Sequence, residues 1–322
     1  FSNSIFERLW NRDAVDHIQI TVSEKLGVGG RGGYYEEAGA LRDMVQNHLL
    51  QVLALVAMEP PIALDAEPIR DEKVKLLSAI RRMQPDEVAR RVVRGQYIAG
   101  NVAGEERRAY REEEKVNPRS NVETFVALKL FIDNWRWAGV PFYLRTGKRM
   151  AAKCTQIVVQ FKPPAANLFR KVAGFGSEAP NRLVIEIAPK ERFNLRFEVK
   201  VPGFGLRAAN VNMQLDYADH FKAEPVEAYG PLIVDAMRGD QTLFKHRIEV
   251  EGAWNAVMPF LDDRSAKARA NIHANYACGS WGPASADELL GRDGRAWRAI
   301  RGKPQNARAF SERSSAAAPI RR

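Results

Sequence analysis

The chain predicts an α+β fold, a large and mainly antiparallel β-sheet backed by α-helices. Three observations carry that expectation. Strand-length segments in the second half alternate apolar and polar residues between Pro and Gly. Helical periodicity fills much of the first half and returns after Tyr229. Neither a strand-helix-strand alternation nor an internal repeat organises the 322 residues, which argues against a doubly wound sheet. With 45% hydrophobic and 27% charged residues, the chain has the composition of a soluble globular protein and the length to bury a substantial core.

Taken in order, Phe1-Ser-Asn-Ser-Ile-Phe-Glu-Arg-Leu-Trp10 reads as amphipathic structure entered without an initiating methionine, so a longer parent protein is expected. Ile18-Gln-Ile-Thr-Val22 alternates as a strand. Gly27-Val-Gly-Gly-Arg-Gly-Gly33 is a loop and contains the spacing G-x-G-x-x-G. About eight residues separate it from the helix expected at Leu41, and no acidic residue follows a next strand, so a loop or backbone-packing role is preferred to a pyrophosphate cradle. Helices are predicted over Leu41 to Met58, Arg70 to Met83 and Asn121 to Trp137. Between the last two, the polar stretch Gly95 to Arg119, with its Glu112-Glu-Glu114 run, reads as an exposed loop. Strands are predicted at Pro141 to Leu144, Cys154 to Phe161, Arg182 to Ile187, Asn194 to Val201 and Asn212 to Tyr217, then helices at Tyr229 to Met237 and Ile248 to Phe260.

The Leu41 to Met58 helix holds the most informative residue. At about 100° per residue, Leu41, Met44, Val45, Leu49, Val52, Leu53 and Val56 share one side, and His48 projects within the same arc. Two readings compete for it: a hydrogen-bonded core histidine, or a catalytic base. Asp43 and Gln46 form Asp-x-x-Gln, a variant capping box that offers Asp43 a purely structural role. In an unbroken α-helix Asp43 and His48 point about 140° apart, so they would not sit side by side and the acid orienting His48 would come from elsewhere. If Asp43 is instead the N-cap, with Gly39 interrupting the helix upstream, both could approach one ligand from different directions. A second cluster, Arg145, Lys148, Arg149 and Lys153, crowds the turn after a short strand. It suits an anionic or polyhydroxyl ligand, or a solvated hairpin tip.

Charge and cysteine usage narrow the partners. Of the net charge of +10, six basic residues against one acidic place +5 in the Ala-, Ser- and Pro-rich stretch 299–322, which reads as a basic, disordered tail. The remaining +5 shows no patch interleaved with aromatics, so nucleic acid is not the expected partner. No apolar run reaches the roughly 18 residues of a membrane span, and the start has no signal-peptide pattern, so a cytoplasmic location without membrane contact is the default. Cys154 and Cys278 lack metal-ligand spacing, which implies reduced thiols and no bound metal.

Six blocks then occur in a telling order: Arg31-Gly-Gly-Tyr-Tyr, Leu41-Arg-Asp-Met-Val-Gln-Asn-His-Leu-Leu-Gln, Ala57-Met-Glu-Pro-Pro, Arg70-Asp-Glu-Lys-Val-Lys, Trp135-Arg-Trp-Ala-Gly-Val-Pro-Phe-Tyr-Leu-Arg-Thr-Gly-Lys and Gly279-Ser-Trp-Gly-Pro. Over residues 1–298 the chain resembles the C-terminal substrate-binding and dimerisation domain of glucose-6-phosphate dehydrogenase. The resemblance implies that His48 is the general base taking the C1 hydroxyl proton of glucose 6-phosphate as hydride passes to NADP, NAD being possible. The product would be 6-phosphoglucono-1,5-lactone, made in the first step of the pentose phosphate pathway. It also implies that Asp43 and Glu24 bind sugar hydroxyls, that Lys148 and Lys153 contact the substrate, and that the protein is a homodimer or homotetramer. The family's nucleotide domain and its Arg-x-Asp-His-Tyr-Leu-Gly-Lys block, the source of the orienting aspartate and the main cofactor site, do not occur in these residues. Asp16-His17 does not replace that block, because strand sequence follows it. The chain alone is therefore expected to be inactive. Cys154 stands where some members place a lysine for a structural NADP, so that second site is not expected. The alternative is a catalytically inert sugar-phosphate-binding or assembly module.

Overall fold

A computed structural model describes residues 1–102, 104–166, 180–222, 229–261 and 275–300, so all but the first two residues of the expected tail lie outside the described residues. In chain order the elements are α1 (Ser4–Glu7), β1 (Val15–Ser23), α2 (Gly32–Ala40), a π-helix (Leu41–Leu49), α3 (Leu50–Ala57), α4 (Ala66–Ser78), α5 (Pro85–Arg91), β2 (Val92–Gly95), β3 (Tyr97–Ile98), β4 (Gly100–Val102) and β5 (Glu105–Arg107). They continue with β6 (Phe125–Leu130), β7 (Phe142–Gly147), β8 (Cys154–Phe161), β9 (Arg182–Ala188), β10 (Arg192–Lys200), β11 (Ala208–Asp216), α6 (Tyr217–Phe221), α7 (Tyr229–Arg238), α8 (Arg247–Leu261), β12 (Tyr276–Ala277) and a closing helix, Ala284–Gly291.

Among the described residues, eight strands form one sheet in the order β11-β10-β9-β8-β1-β7-β6-β2. Neighbours run antiparallel except β1 and β7, which are parallel. The α+β expectation holds, with this one parallel pair added. The π-helix lies against β1 and β7 and contacts α2, α3 and α8, while α4 packs on α3 and α8. Trp137 is fully buried there, its indole N–H donating to the Ala57 carbonyl at 2.7 Å. Residues 293–298 then cross the sheet: Asp293 meets Lys129 of β6, Arg295 meets Asp16 of β1, and Arg298 meets Gln156 of β8.

Three sequence expectations need correction. The segment Asn121 to Trp137 is not a helix, because β6 occupies its middle, paired on one side with β7 and on the other with β2. A strand covered on both faces reads as a continuous apolar run, which periodicity alone does not separate from a helix. The stretch Gly95 to Arg119 is not an exposed loop either. It folds as β3, β4, β5 and a 3-10 turn, and it buries Tyr97 and Tyr110 beside Tyr35, with ring centroids 5.6 Å apart for Tyr97–Tyr110 and 6.2 Å for Tyr35–Tyr110. Polar neighbours in sequence conceal these aromatic anchors.

Third, the glycine loop runs straight into a helix that begins at Gly32, not at Leu41. That helix breaks at Gly39 (φ 63°, ψ 173°), and the next turns are wound as a π-helix before α3 completes the run to Ala57. The Leu50 N–H accordingly reaches back five residues to the Val45 carbonyl.

Candidate functional site

The parallel pairing of β1 and β7 aligns their C-terminal ends, with Ser23 opposite Gly147. The residues that follow, Glu24 and Lys148, therefore emerge together although 124 positions separate their strands' paired residues Thr21 and Arg145. The Glu24 N–H donates to the Gly147 carbonyl at 3.0 Å, and the Met150 N–H donates to the Glu24 carbonyl at 2.9 Å. Gly147 is required by packing: a Cβ there would sit 2.8 Å from the Phe125 ring and 2.9 Å from Met150 Sδ. Lys148 is 9% exposed; its ammonium pairs with the Glu24 carboxylate, lies 3.9 Å from Asp43 Oδ2 and stands 5.3 Å from the centre of the Tyr35 ring. Tyr34 Oη donates to Asp43 Oδ1 at 3.1 Å, and the Asp43 carboxylate in turn holds the Tyr34 phenol's pKa above its usual value.

Asp43 and His48 come from the π-helix, and this overturns the 140° separation. In a helix closed by i→i+5 bonds, residues five apart stack along one face as residues four apart do in an α-helix. Both side chains line one cleft. The helix break at Gly39 also places Asp43 inside the helix and not at its N-cap. His48 does not belong to the apolar stripe: it is exposed in the cleft, while Gln46 is buried and reaches toward the Val250 carbonyl at 3.5 Å.

The cleft has a volume of about 800 Å³ and brings together Glu24, Asp43, His48, Lys148 and Lys153. Sequence reasoning missed three of its cations, Arg31, Lys73 and Lys245. Lys73 is buried in an ion pair with Glu249 of α8 at 2.9 Å, and Lys245 donates to the Asn47 carbonyl at 3.0 Å. Partial burial lowers the pKa of Lys245 from its usual value. Arg31 and Lys73 lie within blocks that carry the resemblance, but the place of Lys73 in the wall depends on α8, distant in sequence. Carboxylates that accept from hydroxyls, ammonium groups that bind anions and an imidazole beside them suit a ligand both polyhydroxylated and negatively charged.

Two glycines of the glycine loop are held by packing, whereas Gly29 and Gly30 have open space around them. A Cβ on Gly32 would lie 2.1 Å from the Glu114 carbonyl oxygen, and one on Gly27 would lie 2.4 Å from the Arg149 guanidinium, so these glycines serve close packing. Cys154 is buried, which pushes its thiol up to about 11. On β7, beyond β1 from the strand of Cys154, the Arg145 guanidinium stacks 4.3 Å from the centre of the Trp297 ring. Asp16 and His17 are joined at 2.6 Å at the opposite end of β1, roughly 20 Å from Glu24 at strand rise. Among the described residues no group of three or more His, Cys, Asp or Glu side chains gathers as a metal site, and no helix is long and apolar enough to cross a membrane.

Comparison with known proteins places the chain in a family. The family profile described as "Glucose-6-phosphate dehydrogenase, C-terminal domain" matches residues 1–298. Glucose-6-phosphate 1-dehydrogenase of Aggregatibacter actinomycetemcomitans is 48% identical over 298 residues, covering 92% of this chain and 59% of the relative. The Bacillus subtilis protein of the same name is 50% identical over 304 residues, covering 92% and 60%. A solved structure of glucose-6-phosphate dehydrogenase in complex with its substrate glucose-6-phosphate superposes with a TM-score of 0.81 at 33% identity, covering 92% of this chain and 59% of that one. The Mycobacterium avium enzyme gives a TM-score of 0.79 at 37% identity, covering 95% and 60%. The chain thus spans about 59% of the length of its first relatives.

Proposed function

Because the chain belongs to the glucose-6-phosphate dehydrogenase C-terminal domain family, we propose that residues 1–298 form the substrate-binding and dimerisation part of an NADP-linked enzyme, with NAD as the alternative acceptor, acting in the cytoplasm. The reaction is oxidation of the C1 hydroxyl of D-glucose 6-phosphate to 6-phosphoglucono-1,5-lactone. The observation that carries this reading is the convergence of Glu24, Asp43, His48, Lys148 and Lys153 on one open cleft.

In this reading His48 accepts the C1 hydroxyl proton, a task an imidazole performs near neutral pH. Glu24 and Asp43 accept hydrogen bonds from sugar hydroxyls. Lys148 and Lys153 supply donors and positive charge to the sugar phosphate. A nicotinamide cofactor would supply the hydride acceptor; Gly27 and Gly32 of the loop are taken up by packing against Arg149 and Glu114, and no step through the cofactor is assigned to these residues. The chain by itself is accordingly a sugar-phosphate binder without turnover. Dimerisation is supported by an exposed apolar row on β10 and β11, Val199, Val211, Met213 and Leu215, with Met213 64% exposed.

The test is calorimetric titration of the purified chain with glucose 6-phosphate, alongside an absorbance assay for NADP reduction. Saturable binding without reduction is expected. Absence of binding would overturn the substrate assignment, and reduction of NADP would overturn the inactivity of the isolated chain.

A further inference from the structure

The helix carrying Asp43 and His48 cannot cap its own N-terminus. Gly39, with φ 63° and ψ 173°, breaks the preceding helix, and the N-cap residue that follows, Ala40, carries only a methyl group and cannot accept from the first-turn N–H groups. Both acceptors are supplied from far along the chain by one residue. The Glu123 carbonyl accepts from the Ala40 N–H at 2.9 Å, and Glu123 Oε1 accepts from the Leu41 N–H at 2.9 Å, 82 positions away. Glu123 is 9% exposed. A Cβ on Gly39 would lie 2.6 Å from the same Oε1, so the glycine also makes room for the cap. A carboxylate at this end is favoured by the helix dipole as well as by the bond.

The adjacent residue grips the other wall of the cleft. The Thr124 carbonyl accepts from the Lys148 N–H at 3.0 Å, and Tyr276 Oη lies 2.7 Å from the Lys148 carbonyl and 3.2 Å from that of Thr124. Two consecutive residues thus hold the π-helix bearing Asp43 and His48 and the strand end bearing Lys148.

We propose that Glu123 is a positioning residue, whose carboxylate caps the π-helix in trans and sets where Asp43 and His48 stand relative to Lys148. The proposal rests on the sugar-phosphate reading of the cleft. It separates reach from charge: Glu123→Gln keeps an acceptor oxygen at the same reach, whereas Glu123→Asp keeps the charge but falls one methylene short of Leu41.

The experiment compares both variants with the wild-type chain, using calorimetric titration with glucose 6-phosphate and the NMR signal of the His48 ring, assigned by its loss in His48→Asn. Glu123→Gln is expected to bind within about threefold of wild type with His48 unshifted. Glu123→Asp is expected to bind about tenfold more weakly, the equivalent of one lost cap, with His48 displaced. Wild-type affinity and an unmoved His48 signal in Glu123→Asp would overturn the proposal, as would failure of Glu123→Gln to retain either. If the wild type takes up no glucose 6-phosphate, the sugar-phosphate reading fails, and the His48 signal alone still decides whether Glu123 positions the helix.

Discussion

Replacing Lys148 by methionine should separate binding from stability. The ammonium is held between the carboxylates of Glu24, with which it pairs, and Asp43, 3.9 Å away, so Lys148→Met leaves two negative groups facing the cleft without their cation. A hydrogen bond to a charged group contributes about 1.5–3 kcal/mol. Repulsion between an anionic ligand and the two bare carboxylates pushes the loss to the upper end, so affinity for glucose 6-phosphate should fall about 100-fold. Folding should suffer much less. The Glu24 and Asp43 side chains are 33% and 16% exposed and regain water, so the cost is about 1–2 kcal/mol and not the 3–5 kcal/mol typical of a broken fully buried pair. Calorimetric titration of wild type and variant with glucose 6-phosphate and with uncharged glucose, beside urea denaturation, measures both. The glucose arm should weaken less than the phosphate arm. Retention of glucose 6-phosphate affinity within about threefold would refute the placement of Lys148 against the anion.

Other consequences are equally direct. Glu249→Ala strands Lys73 in a wall where Glu249 is fully buried, and should cost about 3–5 kcal/mol in urea denaturation; a cost below about 1 kcal/mol would mean that the pair does not hold α8 to α4. Met213→Asp in the exposed apolar row should shift the chain from dimer to monomer in light scattering, and an unchanged mass would place the subunit contact elsewhere. Asp16 carries a pH signature: its bond to His17 and then that to Arg295 hold its carboxyl well below the usual carboxylate range, against the opposing effect of burial. A carboxyl depressed in the folded state contributes stability above its unfolded pKa of about 3.9 and loses it as pH falls toward the folded value. Asp16→Asn should therefore flatten the acid limb of the thermal-stability profile below about pH 4, and an unchanged limb would remove Asp16 from the acid sensitivity.

Much of the fold was legible because its signals are local. The strand Cys154–Phe161 has the bounds its alternation predicted, and β9, β10, α7 and α8 lie within a few residues of theirs. The errors have a common physical source. Phe125–Leu130 is apolar enough for either a helix or a strand, and pairing with β7 and β2 decides it. Tyr97 and Tyr110 sit in a polar stretch and become core through Tyr35 and Tyr276, which lie on other elements.

The candidate site divides in the same way. The resemblance carried by the order of the six blocks implied Glu24, Asp43, His48, Lys148 and Lys153 as site residues, because side-chain chemistry and block order are properties of the sequence itself. Their assembly was not accessible there. Glu24 meets Lys148 because β1 and β7 pair in parallel, and Asp43 faces the cleft with His48 because the turns after the break at Gly39 are wound as a π-helix and not as an α-helix. A periodicity argument assumes a constant turn angle and sees only neighbours in sequence. The turn angle of Leu41–Leu49 departs from that constant, and the Leu41 N–H finds its acceptor 82 positions away, a contact that only the tertiary structure contains.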